Sequence, residues 1–307
     1  MPSDGERSFD DISYNGRFNV EHTPNDADTY SLGVYVGKRT KDRLADINYY
    51  DNHAIAPIGS GKREYTFGYY NHNLRTRKGD FALGSFDYAH KFDDDSKIST
   101  SFLYEYTFLG GPTYNDNLGL IDRSIEYQKE YNTNDNPLNG FRINLDYQWK
   151  PWTLGTLETG YQYRNLDHSG EFVYERDGIL VPKFSSNIDL KRSIHSGYAQ
   201  LTGAKDKWDY AAGVRLESMD RTYTEDLRTA DPSQTYKFDF LKLFPSASLQ
   251  YKVTDRTKLK AAYSKRVERT TTFKMNSFAE REHSEVFEQG DNRLKPEFID
   301  LLEVGVT

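Results

Sequence analysis

The sequence predicts an all-β chain, an antiparallel up-and-down transmembrane β-barrel wall of about eleven strands. Three observations carry that prediction. Apolar residues recur at every second position along nearly the whole chain, and no helical period competes with them. Aromatic residues make up 15 % of a chain that is only 36 % hydrophobic, so apolar side chains are too thinly spread for a shared soluble core. Connections between the alternating segments are short at one end and long at the other.

Strands are predicted near 12–22, 29–41, 79–92, 97–110, 139–150, 153–166, 190–204, 207–221, 237–253, 257–270 and 297–307. In the first, Ile12, Tyr14, Phe18 and Val20 share a face; in the second, Tyr30, Leu32, Val34 and Val36 do. The third carries Phe86, Tyr88 and Phe92, and the fourth Ile98, Phe102, Tyr104, Tyr106 and Phe108. The fifth is the cleanest, with Phe141, Ile143, Leu145, Tyr147 and Trp149 alternating with Arg142, Asn144, Asp146 and Gln148. The eighth sets Trp208, Tyr210, Ala212, Val214 and Leu216 against Asp209, Arg215 and Glu217. In the ninth, Leu241, Leu243, Pro245, Ala247, Leu249, Tyr251 and Val253 face away from Lys242, Ser246, Ser248, Gln250 and Lys252. Each segment holds its register for about 9–11 residues, the span of a tilted strand through hydrocarbon.

Turn-rich links at Pro24 to Asp28, Asp93 to Ser96, Lys150–Pro151, Ala204 to Asp206 and Thr254 to Arg256 separate alternate pairs of strands. Between them lie polar stretches at roughly 42–78, 111–138, 167–189, 222–236 and 271–296. This is the pattern of an outer-membrane barrel with short periplasmic turns and long external loops. Phe92, Trp149, Trp152 and Trp208 sit beside the short turns, at girdle positions. A soluble sandwich or propeller needs the same alternation, but not this asymmetry of loops, and no blade-length repeat is present.

The absence of cysteine removes disulfides, thiolate metal sites and cysteine nucleophiles, and a net charge of −7 with no basic stripe argues against a nucleic-acid partner. No run of apolar residues is long enough for a transmembrane helix. The polar start, Met1 to Asp11, has no apolar core, so no signal peptide is predicted. One outer-membrane barrel domain is expected over 1–307, incomplete and without a plug domain. Scattered histidines form no zinc motif, and no nucleophile elbow, Walker A loop or dinucleotide fingerprint occurs. Ser193 and His195 share a face, but nothing local orients the histidine as a hydrolase would require. The runs Asn115-Asp116-Asn117 and Asn132 to Asn136 lack the spacing of an EF-hand and read as solvated turns. No catalytic, cofactor-binding or metal-binding residue is assigned, and the chain is not expected to be an enzyme.

Charges opposite the apolar face should line the lumen; the candidates are Arg142, Asp146, Glu158, Arg164, Arg215 and Glu217. They either hydrate the lumen and pair across strands or contact whatever fills it. Tyrosines in the long loops (Tyr49, Tyr50, Tyr114 and Tyr131 foremost) are candidates for ligand contact, because a ring with a polar handle suits a half-wet surface.

Particular stretches also resemble a known family. The run from His195 to Gly203 followed by Trp208 to Glu217 is similar to a barrel hairpin of TonB-dependent outer-membrane receptors. Phe244 to Tyr251 with Leu259 to Arg266 resembles the next hairpin. Gln289 to Glu297, containing Leu-Lys-Pro-Glu, is similar to the family's entry into a following strand. Asp87 to Asp93 resembles the subfamily described as outer membrane protein beta-barrel. Departures fall at Arg269-Thr270 and at Asn276-Ser277-Phe278, where the family usually carries proline. The resemblance implies uptake of a bulky nutrient, whether oligosaccharide, peptide or metal chelate, through a barrel of about 22 strands. It implies as partners outer-membrane lipid and a TonB-type energy transducer acting through a plug domain; a surface lipoprotein on the external loops is a further candidate. The alternative is a non-transport barrel presenting its loops for adhesion or partner assembly.

Overall fold

Every second residue of each strand needs a non-aqueous neighbour, and the computed structural model satisfies this with one continuous sheet. It describes residues 2–54, 65–150, 153–275, 280–283 and 286–307. The first strands are β1 (Ser3–His22), β2 (Asp28–Ala54), β3 (Tyr65–Lys91), β4 (Lys97–Gly119), β5 (Glu126–Trp149) and β6 (Thr156–Arg176). After the short β7 (Ile179–Leu180) come β8 (Ser186–Lys205), β9 (Trp208–Leu227), β10 (Gln234–Lys252) and β11 (Lys258–Glu268). A one-turn helix α1 (Thr272–Met275) and a hairpin of β12 (Glu280–His283) with β13 (Val286–Glu288) precede β14 (Glu297–Val306).

Neighbours in the main sheet are β1-β2-β3-β4-β5-β6-β8-β9-β10-β11-β14, each pair antiparallel, with β7 attached to β6. These long strands are the ones that the alternation predicts, in the same order. Among the described residues β1 and β14 do not pair, so the sheet is open.

The strands run well past their predicted limits. β2 continues to Ala54 and β3 starts at Tyr65, so most of the 42–78 stretch is paired strand rather than loop. Likewise the 111–138, 167–189 and 222–236 stretches shrink to connections at 120–125, 177–185 and 228–233. Only the 269–296 connection keeps its predicted length. The physical reason is that apolar residues mark the outer face only where it meets lipid; beyond it the outer face is wet, yet the backbone ladder still needs its partners. Pro151 and Trp152, placed at a short turn and its girdle, lie outside the described residues, as do Asn276, Ser277 and Phe278.

Which face is inside follows from side chains that reach over a strand. Tyr198 on β8 donates across β6 to Asp146 on β5 at 2.6 Å. Arg215 on β9 donates across β8 to Gln162 on β6 at 2.9 Å. Arg77 on β3 reaches over β4 to Asn134 on β5 at 3.5 Å. Such contacts require the sheet to curve toward that face. Gly160 stands directly between Asp146 and Tyr198 in the register, and a Cβ there would sit 2.3 Å from the Asp146 carboxylate. Its missing side chain is what lets the tyrosine pass.

The opposite, convex face exposes Leu32, Val34, Phe86, Phe102, Leu145, Val214, Leu216, Leu243 and Leu249 beside the short-turn end. Trp149 and Trp208 are half-exposed at the last positions before the turns. This is an apolar band bounded by aromatic residues, as lipid demands.

Candidate functional site

All six charged candidates fall on the inner face, because they share alternation parity with the residues that cross it. Asp146 is held by Tyr198, and Glu158 accepts from Gln148 at 3.0 Å. Arg215 donates to Ser196 Oγ at 2.7 Å and pairs with Glu217 at 3.3 Å. Glu217 is 1 % exposed and receives a second guanidinium, that of Arg269. A buried carboxylate so enclosed needs both partners to offset its lost hydration. Arg142 lies directly opposite Arg164, and Arg164 approaches Glu105 only to 3.8 Å.

Alternation in the upper part of the sheet brings further residues inward that sequence reasoning did not single out. Arg192 on β8 is directly opposite Arg221 on β9. Arg221 donates to Leu294 O at 2.9 Å and touches Thr270 Oγ1 and the Met275 sulfur at 3.2 and 2.9 Å. Arg192 makes no hydrogen bond or ion pair with any described residue. The convex side at this height shows Lys191 and Asp220, so Arg192 stands above the apolar band. Burial and the neighbouring Arg164, Arg269 and Arg221 pull its pKa down to about 10, which leaves it charged at neutral pH.

The contacts of Arg221 show that Thr270, Met275 and Leu294, from the two ends of the 269–296 connection, lie over the inner face. Pairing of β10 with β11 stops at Ser246–Ser264, while β11 and β14 stay paired up to Glu268–Glu297. The freed top of this hairpin leans inward, and Phe298 meets Phe240 and Phe244 with ring centres 5.5 and 6.2 Å apart. Met275, at the end of α1, is 1 % exposed among Leu166, Phe172, Ile188, Leu190 and Tyr223. Above the lipid, on β6, β8 and β9, the inner face therefore carries an apolar cluster and the outer face is polar, the reverse of the arrangement below. His168 lies in this region, 4 % exposed, with Nδ1 unpartnered, and burial pushes its pKa below the usual histidine value.

The four tyrosines are not on loops. Tyr49 and Tyr50 lie on β2, Tyr114 on β4 and Tyr131 on β5. Paired backbone fixes their directions: Tyr49 points inward and stacks on Tyr69 at 4.8 Å, while Tyr50 points outward and donates to Asp4 at 2.9 Å. Tyr114 and Tyr131 oppose each other on the outer face, ring centres 5.2 Å apart. Only Tyr49 of the four faces the lumen.

Asn115 and Asn117 are buried on the inner face, where both accept from Asn71 at 2.7 and 2.8 Å. Asn115 in turn donates to Glu130, which also accepts from Tyr174. This amide ladder satisfies its members internally, so they are strand residues rather than the solvated turn expected. His195 lies on the outer face with Nδ1 2.6 Å from the Tyr161 hydroxyl, which fixes the ring without Ser193.

The polar interior wall, the lipid-facing band and the neighbour-to-neighbour topology can be set beside solved structures. The ferric-catecholate import receptor Fiu from E. coli K12, closed form, superposes with a TM-score of 0.54 at 12 % identity, covering 98 % of this chain and 55 % of that one. The siderophore receptor PiuA from Acinetobacter baumannii gives 0.53 at 11 % identity, with 99 % and 53 % covered. FauA, the alcaligin outer membrane receptor from Bordetella pertussis, gives 0.51 at 14 %, with 99 % and 47 % covered. At such identities the likeness is one of fold, and the chain spans about half the length of the solved receptors it matches. No curated protein sequence matches. The family model for the outer membrane protein beta-barrel family, however, matches residues 90–307, most of the strands described above. With that match the wall has its membrane: the chain belongs to the outer membrane protein beta-barrel family, and it resides in the outer membrane.

Proposed function

We propose that this chain is wall from a receptor that takes up a bulky nutrient across the outer membrane, driven by a TonB-type transducer through a plug domain. The observation that carries the reading is the inner face. It holds charged and amide side chains fixed by cross-strand bonds, on a fold like that of the Fiu and PiuA barrels. The solved barrels of similar fold are an import receptor and a siderophore receptor, which supports a carrier reading. The inner face would meet the plug and the passing solute, whereas Tyr114 and Tyr131 would meet the outside medium.

The test uses the whole receptor. A deletion strain is grown on defined iron and glycan sources and complemented with the intact gene, with a plug-deleted version, or in a background lacking the energy transducer. Growth that needs both plug and transducer on one nutrient supports the proposal. Full complementation without either would reduce the barrel to a passive or adhesive role.

A further inference from the structure

The inner face at the level of Arg192 carries an imbalance of charge. Arg142 opposes Arg164 across β5 and β6, and Arg192 opposes Arg221 across β8 and β9. Directly opposed side chains of this kind stand about 5 Å apart at Cβ, and like charges there are destabilising. Arg269 enters the same region from the inward-folded connection. Among the described residues the carboxylates at hand are two. Glu217 is already enclosed by Arg215 and Arg269, and Glu105 is 3.8 Å from Arg164. One level below, Asp146 is taken by Tyr198; above, Glu225 accepts from Asn292. Arg142 and Arg192 are left without any hydrogen bond or ion pair among the described residues, and Arg142 Nε is buried. A folded wall would not assemble two such pairs in one place unless something anionic came to them.

We infer that Arg142, Arg164 and Arg192 form a seat for a solute carrying several carboxylate or phosphate groups. This deepens the uptake reading and rests on it, because it names the chemical class of the cargo. Guanidiniums suit such a ligand, since each offers a planar pair of donors to an oxyanion. The seat is on the concave side, which lipid headgroups do not reach, so a dissolved anion is the occupant. Arg192 stands above the apolar band while Arg142 and Arg164 lie in its upper part, where Phe141, Ile143 and Tyr163 face out, so the seat is reached from the outside medium through its Arg192 end. Arg221 is held by Thr270 and Leu294, which makes the inward-folded connection one wall of the seat.

The experiment is calorimetric titration of the full-length receptor in lipid nanodiscs with citrate, with inorganic pyrophosphate, and with uncharged maltotriose. Citrate or pyrophosphate should bind, more weakly as salt is raised, and maltotriose should not. Arg192→Gln and Arg164→Gln should each weaken binding by about tenfold or more. Lys191→Gln, beside Arg192 but on the opposite face, should leave it unchanged. Both arginine variants relieve repulsion and should melt no lower than the parent without ligand, which separates lost binding from lost folding. The inference is overturned if neither anion binds, or if the arginine variants bind like Lys191→Gln. It is also overturned if only a plug-deleted receptor binds, since carboxylates of the plug would then be the occupants. Nutrient-dependent growth tests uptake independently, so either reading can fail alone.

Discussion

Leu249→Arg places a guanidinium on the convex face of β10, where Leu249 is 45 % exposed between Tyr210 of β9 and Ala261 of β11. Strands tilted by 35–45° climb about 2.5 Å along the barrel axis per residue. Leu249 is five residues from Thr254 in the short turn, which puts it about 12 Å above the rim. An apolar band about 25 Å tall then has its midplane close to that residue. Arginine at such a depth costs about 2–4 kcal/mol. Its neighbour Gln250 faces inward and donates to Asp209 at 2.8 Å; Gln250→Arg can keep an Asp209 contact and should cost less than about 1 kcal/mol. The assay is denaturant-dependent folding of the full receptor into phospholipid vesicles, with the folded fraction read by gel mobility. A difference of about 2 kcal/mol or more between the two variants is expected. Equal losses would refute the assignment of faces, and a larger loss for Gln250→Arg would invert it.

Three further outcomes follow from contacts on the inner face. Glu217→Gln leaves Arg215 and Arg269 without their carboxylate and should destabilise the receptor by about 3 kcal/mol, read as a fall in denaturation midpoint. Gly160→Val blocks the path of Tyr198 to Asp146 and should cost about 1–3 kcal/mol; adding Tyr198→Phe to it should cost little more, because the same bond is already broken. His168 has a folded pKa below its unfolded value near 6.5, so the unfolded chain takes up the proton first. Its contribution is therefore complete above that value and is lost as pH falls toward the lowered folded pKa. Melting temperature should drop across that window in the parent and less in His168→Leu, which packs between Leu138 and Leu190.

Strand order, the lipid-facing side and the shared parity of the six charged candidates were legible in the sequence because lipid imposes a one-sided pattern. Trp208 to Leu216 could be sorted by parity alone. Above the band that signal changes sign. On β8, Ile188 and Leu190 are buried inside while Asp189 and Lys191 face out, since water bathes the outer face and the 269–296 connection covers the inner one. Apolar parity read upward from the membrane thus loses Arg192 and Arg221. The tyrosines failed for a related reason: a polar stretch such as 111–138 reads as loop when it is strand paired on both sides. That 269–296 would fold inward has no local signature, because Met275 finds its place only against residues on three other strands.

Strand pairing that outlasts the membrane has a bearing on how a solute is met. A mobile fringe must surrender conformational freedom to grip a ligand, and affinity suffers accordingly. Residues such as Asn71, Asn115 and Glu130 have their directions set by a ladder that is already formed. Under the proposed uptake role, this part of the wall is a stiff rim that has lost its entropy at the time of folding, so arrival of a solute need not be paid for again. Selectivity in such a rim is a matter of which side chain occupies which rung, and a one-residue insertion there would turn every rung beyond it to the wrong side.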